Sequence, residues 1–139
     1  LYRANELTPV LSARTKKRIV EHLTSVSRLL VQSQHADGHW SRTWFRGANS
    51  GQEAVRHAED DMLLTGHHLE WLALAPRDVQ PPRETILRAS HWLVNAVLET
   101  DQAVLEKRFG PLSHAARALC LWRGKEPGAV WGQGDKVTK

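Results

Sequence analysis

Between Leu29 and Trp40 the chain reads Leu29-Leu30-Val31-Gln32-Ser33-Gln34-His35-Ala36-Asp37-Gly38-His39-Trp40, and these twelve residues already carry a plan for the architecture. Leu29, Leu30 and Val31 are the apolar end of a helical pattern. Gln34 then offers an amide that can satisfy free backbone groups at helix ends. Asp37-Gly38 supplies the reversal, with Gly38 able to take a positive φ at little steric cost. Trp40 brings a large flat surface with one N–H donor to cover the turn. The spacing predicts a helix that stops near Gln34, a tight turn, and an indole folded back over it.

Upstream, after Thr8-Pro9, Ser12 is a natural N-cap, and Ile19, Val20, Leu23, Val26, Leu30 and Val31 follow at three- and four-residue steps, one apolar stripe of a helix. Downstream, residues 40–52 show no period, so Trp44 and Phe45 need cover from the core. A second helix is expected over Glu59 to Ala75, with Glu53 as its earliest start and Pro76 as its stop. Its core side would be Met62, Leu63, Leu69, Leu72 and Ala73, and Gly66 would let another helix approach closely. A third helix opens at Pro81-Pro82 and runs to Glu99 with Ile86, Ala89, Leu93, Ala96 and Val97 inward. The short loop before it predicts an antiparallel hairpin. Asp101 caps a short helix through Lys107, ended by Gly110. Pro111 opens a last helix, Leu112 to Trp122, with Ala115, Ala116, Leu119 and Trp122 on its apolar face, terminated by Gly124. No stretch alternates as a strand would, so the fold class is all-α.

With 139 residues, 41% hydrophobic and 24% charged, the chain fits one folded domain, expected over 1–131, with 132–139 as a tail and Trp131 docking back onto the body. Its single cysteine, Cys120, excludes a disulfide framework and reads as a buried structural thiol; the lack of disulfides leans towards the cytoplasm. No apolar run reaches the ~18–20 residues of a membrane span. The chain opens at Leu1 rather than Met and is expected to be the C-terminal part of a larger protein. The net charge of +4 contains one tight basic cluster, Arg14, Lys16, Lys17 and Arg18, and none of the nucleic-acid recognition signatures, so nucleic acid is not an expected partner.

The Gln34 to Trp40 pattern resembles the QW repeat of squalene cyclases and related prenyltransferase-type α/α toroids. The resemblance implies antiparallel helical hairpins arranged around a ring, with the repeat clamping neighbouring helices and performing no chemistry. The acid motif Asp-x-Asp-Asp of the class II cyclases is missing, since Ala58-Glu59-Asp60-Asp61 puts Ala58 where the first Asp belongs. The Asp, Cys and His zinc set of protein prenyltransferases would rest on one cysteine. A closed toroid needs roughly ten to twelve helices, and at typical lengths this chain supplies four or five. It therefore reads as an arc of a toroid. A second stretch, Gly66-His67-His68-Leu69-Glu70-Trp71-Leu72, is similar to the Gly-His-x-x-Glu segment of the N-acylglucosamine 2-epimerase type of α/α barrel; that resemblance implies proton transfer at His67, beside Glu70.

Helical spacing puts His57, Asp61 and His68 on one face and Asp60 and His67 on the next, so His67, Glu70, Asp60 and Asp61 are the candidate catalytic groups. Trp44, Trp71 and His68 are the candidate substrate contacts. The competing expectation for all of them is mutual hydrogen bonding inside a helical array. Trp40, Trp71, Trp92 and Trp122 suit core packing. His35 and His39 are expected to be exposed at the turn, and His91 and His114 to be buried and hydrogen-bonded. His57 and His68 lie about 16 Å apart along a helix axis, too far for one ion with ~2.0–2.1 Å bonds. A metal would need His67 or His68 with residues of other segments such as His35, His39 or His114, and no tightly bound metal and no cofactor are expected.

The leading expectation is a toroid segment that contributes packing, or one wall of a pocket, to the remainder of a larger chain or to a second copy. The alternative is a carbohydrate- or isoprenoid-directed enzyme of the α/α-barrel class, with a small-molecule ligand. The sequence does not decide whether the protein is an enzyme.

Overall fold

The computed structural model describes residues 10–50, 58–107 and 109–125; the expected tail, Trp131, His57 and any helical start at Glu53 lie outside them. Five α-helices occur among the described residues: α1 (Ala13–Ser33), α2 (Ala58–Leu74), α3 (Arg83–Glu99), α4 (Gln102–Lys107) and α5 (Phe109–Lys125). Two 3-10 turns, Trp44–Asn49 and Arg77–Val79, sit in the connections. No strand occurs among the described residues, and the all-α class stands.

Local chemistry accounts for the helix ends. The Ser12 hydroxyl accepts from Thr15 N at 3.2 Å, the N-cap geometry that its place before the apolar stripe predicts. At the end of α2, the amide of Gln80 donates to the carbonyls of Leu72 (3.0 Å), which also accepts from Ala75 N, and of Ala75 (3.2 Å), just past the last helical residue. Asp101 Oδ1 accepts from Ala103 N at 2.7 Å and starts α4. One boundary differs from expectation: Gly110 does not end the short helix but lies in the first turn of α5, which begins at Phe109. Pro111 is tolerated there because the first-turn N–H groups have no intrahelical acceptor.

The Gln34–Trp40 segment ties three helices together. Gln34 Nε2 donates to the carbonyls of Gly38 (2.9 Å) and Thr85 (2.8 Å), joining the turn to the first turn of α3. Trp40 is fully buried. Its indole N–H donates to the Leu30 carbonyl at 2.8 Å, and its backbone N–H to the Thr65 hydroxyl of α2 at 3.0 Å. Gly38 has φ 111°, and Arg88 Nη2 reaches back from α3 to the carbonyls of His35 (2.7 Å) and Ala36 (3.1 Å).

Around this clamp the core gathers Leu30, Trp40, Met62, Leu69, Leu72, Ala73, Ile86, Ala89, Leu93, Ala115, Ala118 and Trp122. The α2 helix packs most extensively on α5. Contacts advance in the same direction along both: Gly66 faces His114 and Ala115, Glu70 faces Arg117, and the Trp122 indole donates to the Leu69 carbonyl at 2.9 Å. The two helices therefore run in the same sense. A Cβ on Gly66 would lie 3.0 Å from Ala115 N, so the glycine sets how closely they cross. The α3 helix lies between them in sequence and touches both.

Several burial expectations are corrected. Val31 is 42% exposed, one residue off the side of α1 that carries the buried Leu30. Ala118 takes the inward position expected of Ala116, one helical turn on from Ala115. Cys120 is exposed, one residue off the Leu119 and Trp122 face. No described helix is long and apolar enough to cross a membrane.

Candidate functional site

The four residues expected to share catalytic work divide between three places. Asp60 is at the surface, 3.4 Å from Arg42 Nη1. Asp61 is buried and its Oδ2 lies 3.5 Å from His39 Nε2. His67 and Glu70 lie further along α2, where Nδ1 and Oε2 are 3.5 Å apart. Nine residues of helix rise amount to about 13 Å, which separates Asp61 from Glu70 by more than any shared proton can bridge.

His39 is fully buried and His35 half-buried, against the expectation that both are exposed. The turn that carries them is roofed by α3: the two imidazoles stack at 4.2 Å, and Trp92 stacks on His39 at 5.0 Å. His39 Nδ1 is 2.5 Å from Asp37 Oδ1. Burial holds this imidazole below its ordinary pKa, against the opposing pull of Asp37 and Asp61. These groups satisfy one another and fix the turn. His91, expected to be buried, is exposed.

The second half of α2 borders an open cleft of about 400 Å³. Trp44, Trp71, Val26 and Leu74 give it apolar walls, and His67, His68, Glu70 and Arg117 its polar ones. The three expected substrate contacts, Trp44, Trp71 and His68, thus line one cavity together with His67 and Glu70.

The decisive neighbour is one of the three histidines, His35, His39 and His114, that the sequence offers as partners for His67 or His68 at a metal. His114, from α5, places Nδ1 2.9 Å from Glu70 Oε2, and its ring centroid is 3.7 Å from that of His67. Arg117 Nε lies 3.6 Å from the other oxygen, Oε1. Glu70 is only 9% exposed, so a buried carboxylate is enclosed by two imidazoles and a guanidinium. The signal available in the sequence was Gly66 beside His67, matched by the small residue Ala115 after His114, which marks where two helices can meet.

His68 is 6% exposed. Its Nδ1 accepts from the Trp71 indole at 3.3 Å, which assigns its proton to Nε2. That Nε2 finds no hydrogen-bond partner among the described residues. The Trp44 ring stands edgewise at 4.7 Å and the Trp40 ring at 5.5 Å. Burial, with a smaller contribution from His67, pushes the His68 pKa down to about 4. The unfolded chain therefore binds this proton at a higher pH than the folded one. The corresponding stability is fully present above about pH 6.5 and is lost as pH falls from there to about 4, a change on the order of 3 kcal/mol. Urea titrations at pH 7.5 and 4.5 should show His68→Leu losing less stability than the native chain over that interval; equal losses would contradict a neutral buried imidazole.

No protein-family model, curated protein or solved structure matches the chain.

Proposed function

We propose that this chain is an arc of an α/α toroid, a segment of a larger protein, and that it supplies one wall of a small-molecule pocket at the cleft between Trp44 and Trp71. The architectural support is the pair α2 and α5 running in the same sense with α3 packed against both, together with a Gln34–Trp40 clamp that ties consecutive helices. The observation that carries the pocket is His68: its buried Nε2–H finds no partner among the described residues, and the residue stands beside the Trp44 and Trp40 rings on the lining of an open cleft, where a rotation of the side chain would bring the donor to an occupant. Leaving such a donor unsatisfied costs about 1–3 kcal/mol, which a ligand oxygen would recover.

The lining favours a sugar-like occupant over an isoprenoid. Flat indoles match the apolar face of a pyranose ring, while His67, His68, Glu70 and Arg117 offer hydrogen bonds that a hydrocarbon chain cannot use. An enzymatic reading has its own support. His67, Glu70 and His114 are linked at 3.5 and 2.9 Å, distances that allow a proton to be held and passed at the cleft edge.

Titration of the chain with a panel of N-acylated and neutral hexoses, and with a prenyl diphosphate, followed by tryptophan fluorescence, tests this. A hexose is expected to bind, with at least about tenfold weakening in Trp44→Ala and in His68→Phe. Binding of the prenyl diphosphate alone, or hexose binding indifferent to both substitutions, would overturn the carbohydrate reading.

A further inference from the structure

We propose that His67, Glu70 and His114 form a three-ligand site for a divalent transition metal, zinc foremost, with its remaining position open to the cleft. The inference concerns the same wall of the cleft but does not require that a sugar occupy it.

The donor set is two imidazoles and one carboxylate, the mixture found around zinc at sites that keep a position for water or substrate. One ligand atom from each residue lies within 4.8 Å of the others. Glu70 Oε2 is 3.5 Å from His67 Nδ1 and 2.9 Å from His114 Nδ1. A tetrahedron with bonds of ~2.0–2.1 Å has edges of about 3.3 Å, so these two separations bracket the required value. The third edge, between the imidazole nitrogens, lies within 4.8 Å and would have to close onto the ion by side-chain rotation.

The fold prepares this arrangement. His67 and Glu70 are three residues apart on α2 and so share a face. His114 arrives from α5 at the crossing that Gly66 keeps tight, where the neighbouring backbone would be 3.0 Å from an added Cβ. Two ligands thus come from one rigid helix and the third from a helix fixed against it. Glu70 Oε1 has no hydrogen bond among the described residues, and its cationic neighbour, Arg117 Nε, stands 3.6 Å away. His67 is exposed and, with Glu70, lines the cleft, which gives the ion an entry path and leaves its free position facing the cavity. There a metal would polarise a ligand oxygen or lower the pKa of a bound water. The Arg117 guanidinium on Oε1 opposes a cation at this point, so its removal should strengthen binding.

The test uses the untagged full chain and the metal ions alone. Zinc competition against a chromophoric chelator should give one site per chain with a Kd of about 10 µM or tighter, and cobalt should give the intense visible bands of a four-coordinate ion. His67→Ala and His114→Ala should each weaken zinc by at least about tenfold, Arg117→Gln should tighten it, and His35→Ala, outside the group, should leave it unchanged. Circular dichroism checks folding, and His114→Gln replaces the alanine variant if that one does not fold. Zinc bound more weakly than about 100 µM, or bound equally well by the His67 and His114 variants, overturns the site. Metal binding that persists while no hexose binds would discard the pocket's proposed occupant and leave the metal site standing.

Discussion

Trp40→Ala is expected to lose roughly 3–5 kcal/mol of folding stability, the range for removing a large aromatic side chain from a packed core. Trp40 is 0% exposed and belongs to the central apolar cluster, so its removal opens a cavity that helices on three sides cannot all collapse into. The indole also donates to the Leu30 carbonyl, one of the last acceptors of α1, which would be left without that partner. Trp40→Phe separates the two effects. It keeps most of the apolar volume and removes the donor, so a loss of about 1–3 kcal/mol is expected. Urea denaturation of the three proteins measures both. Equal stability of Trp40→Phe and the native chain would show that the indole hydrogen bond contributes nothing, and a Trp40→Ala loss below about 1 kcal/mol would remove Trp40 from the core altogether.

The helices and their ends were legible because their signals are local. Ser12 before an apolar stripe, Asp101 before α4 and the Asp37-Gly38 reversal each act within a few residues and occupy the position their chemistry requires, while Pro82, expected in the first turn of α3, stands just ahead of it at the N-cap. Gly110-Pro111 misled because the same pair can end one helix or open the next. Which it does depends on whether Phe109 joins the turn before Pro111, as it does here. The turn histidines misled for a different reason. A tight turn is ordinarily solvated, and nothing near His39 in sequence announces that Trp92 and Asp61 will close over it from α3 and α2.

The candidate site divided along the same line. His67 and Glu70 were found by helical spacing, and their proximity is a property of one helix. Asp60 and Asp61 were grouped with them by angular position, but a face says nothing about height. Roughly two turns or more of rise separate the pairs, and Arg42 and His39 engage the two aspartates instead. His114 stands forty-four residues after Glu70, and only the α2–α5 crossing makes them partners. The same crossing carries the proposed metal site, so what the sequence lacked was the pairing of helices rather than the chemistry of any residue.

Gly38→Ala is expected to cost at least about 3 kcal/mol and to lower Tm by roughly 10 °C, an effect out of proportion to one methyl group. Two independent penalties add. At φ 111° an L side chain is strained wherever it points, which contributes about 1–3 kcal/mol. The added Cβ would also stand 2.4 Å from the Arg88 carbonyl oxygen and 2.7 Å from its carbon, and these are backbone atoms that no rotamer change can move. Nor can α3 withdraw cheaply. Arg88 holds the carbonyls of His35 and Ala36, and Gln34 bridges Gly38 to Thr85, so a retreat of α3 would stretch those hydrogen bonds together. Gly110→Ala is the matched control, because nothing lies within 4 Å of a Cβ there and the residue is helical. That change should leave stability within about 1 kcal/mol of the native chain, because the lower entropy of the unfolded chain is offset by the crowding of a Cβ ahead of Pro111. Thermal scans of both variants against the native chain decide the matter. A Gly38→Ala protein within about 1 kcal/mol of the native one would mean that the turn does not rest on α3, and the clamp built from Gln34, Gly38 and Trp40 would have to be abandoned.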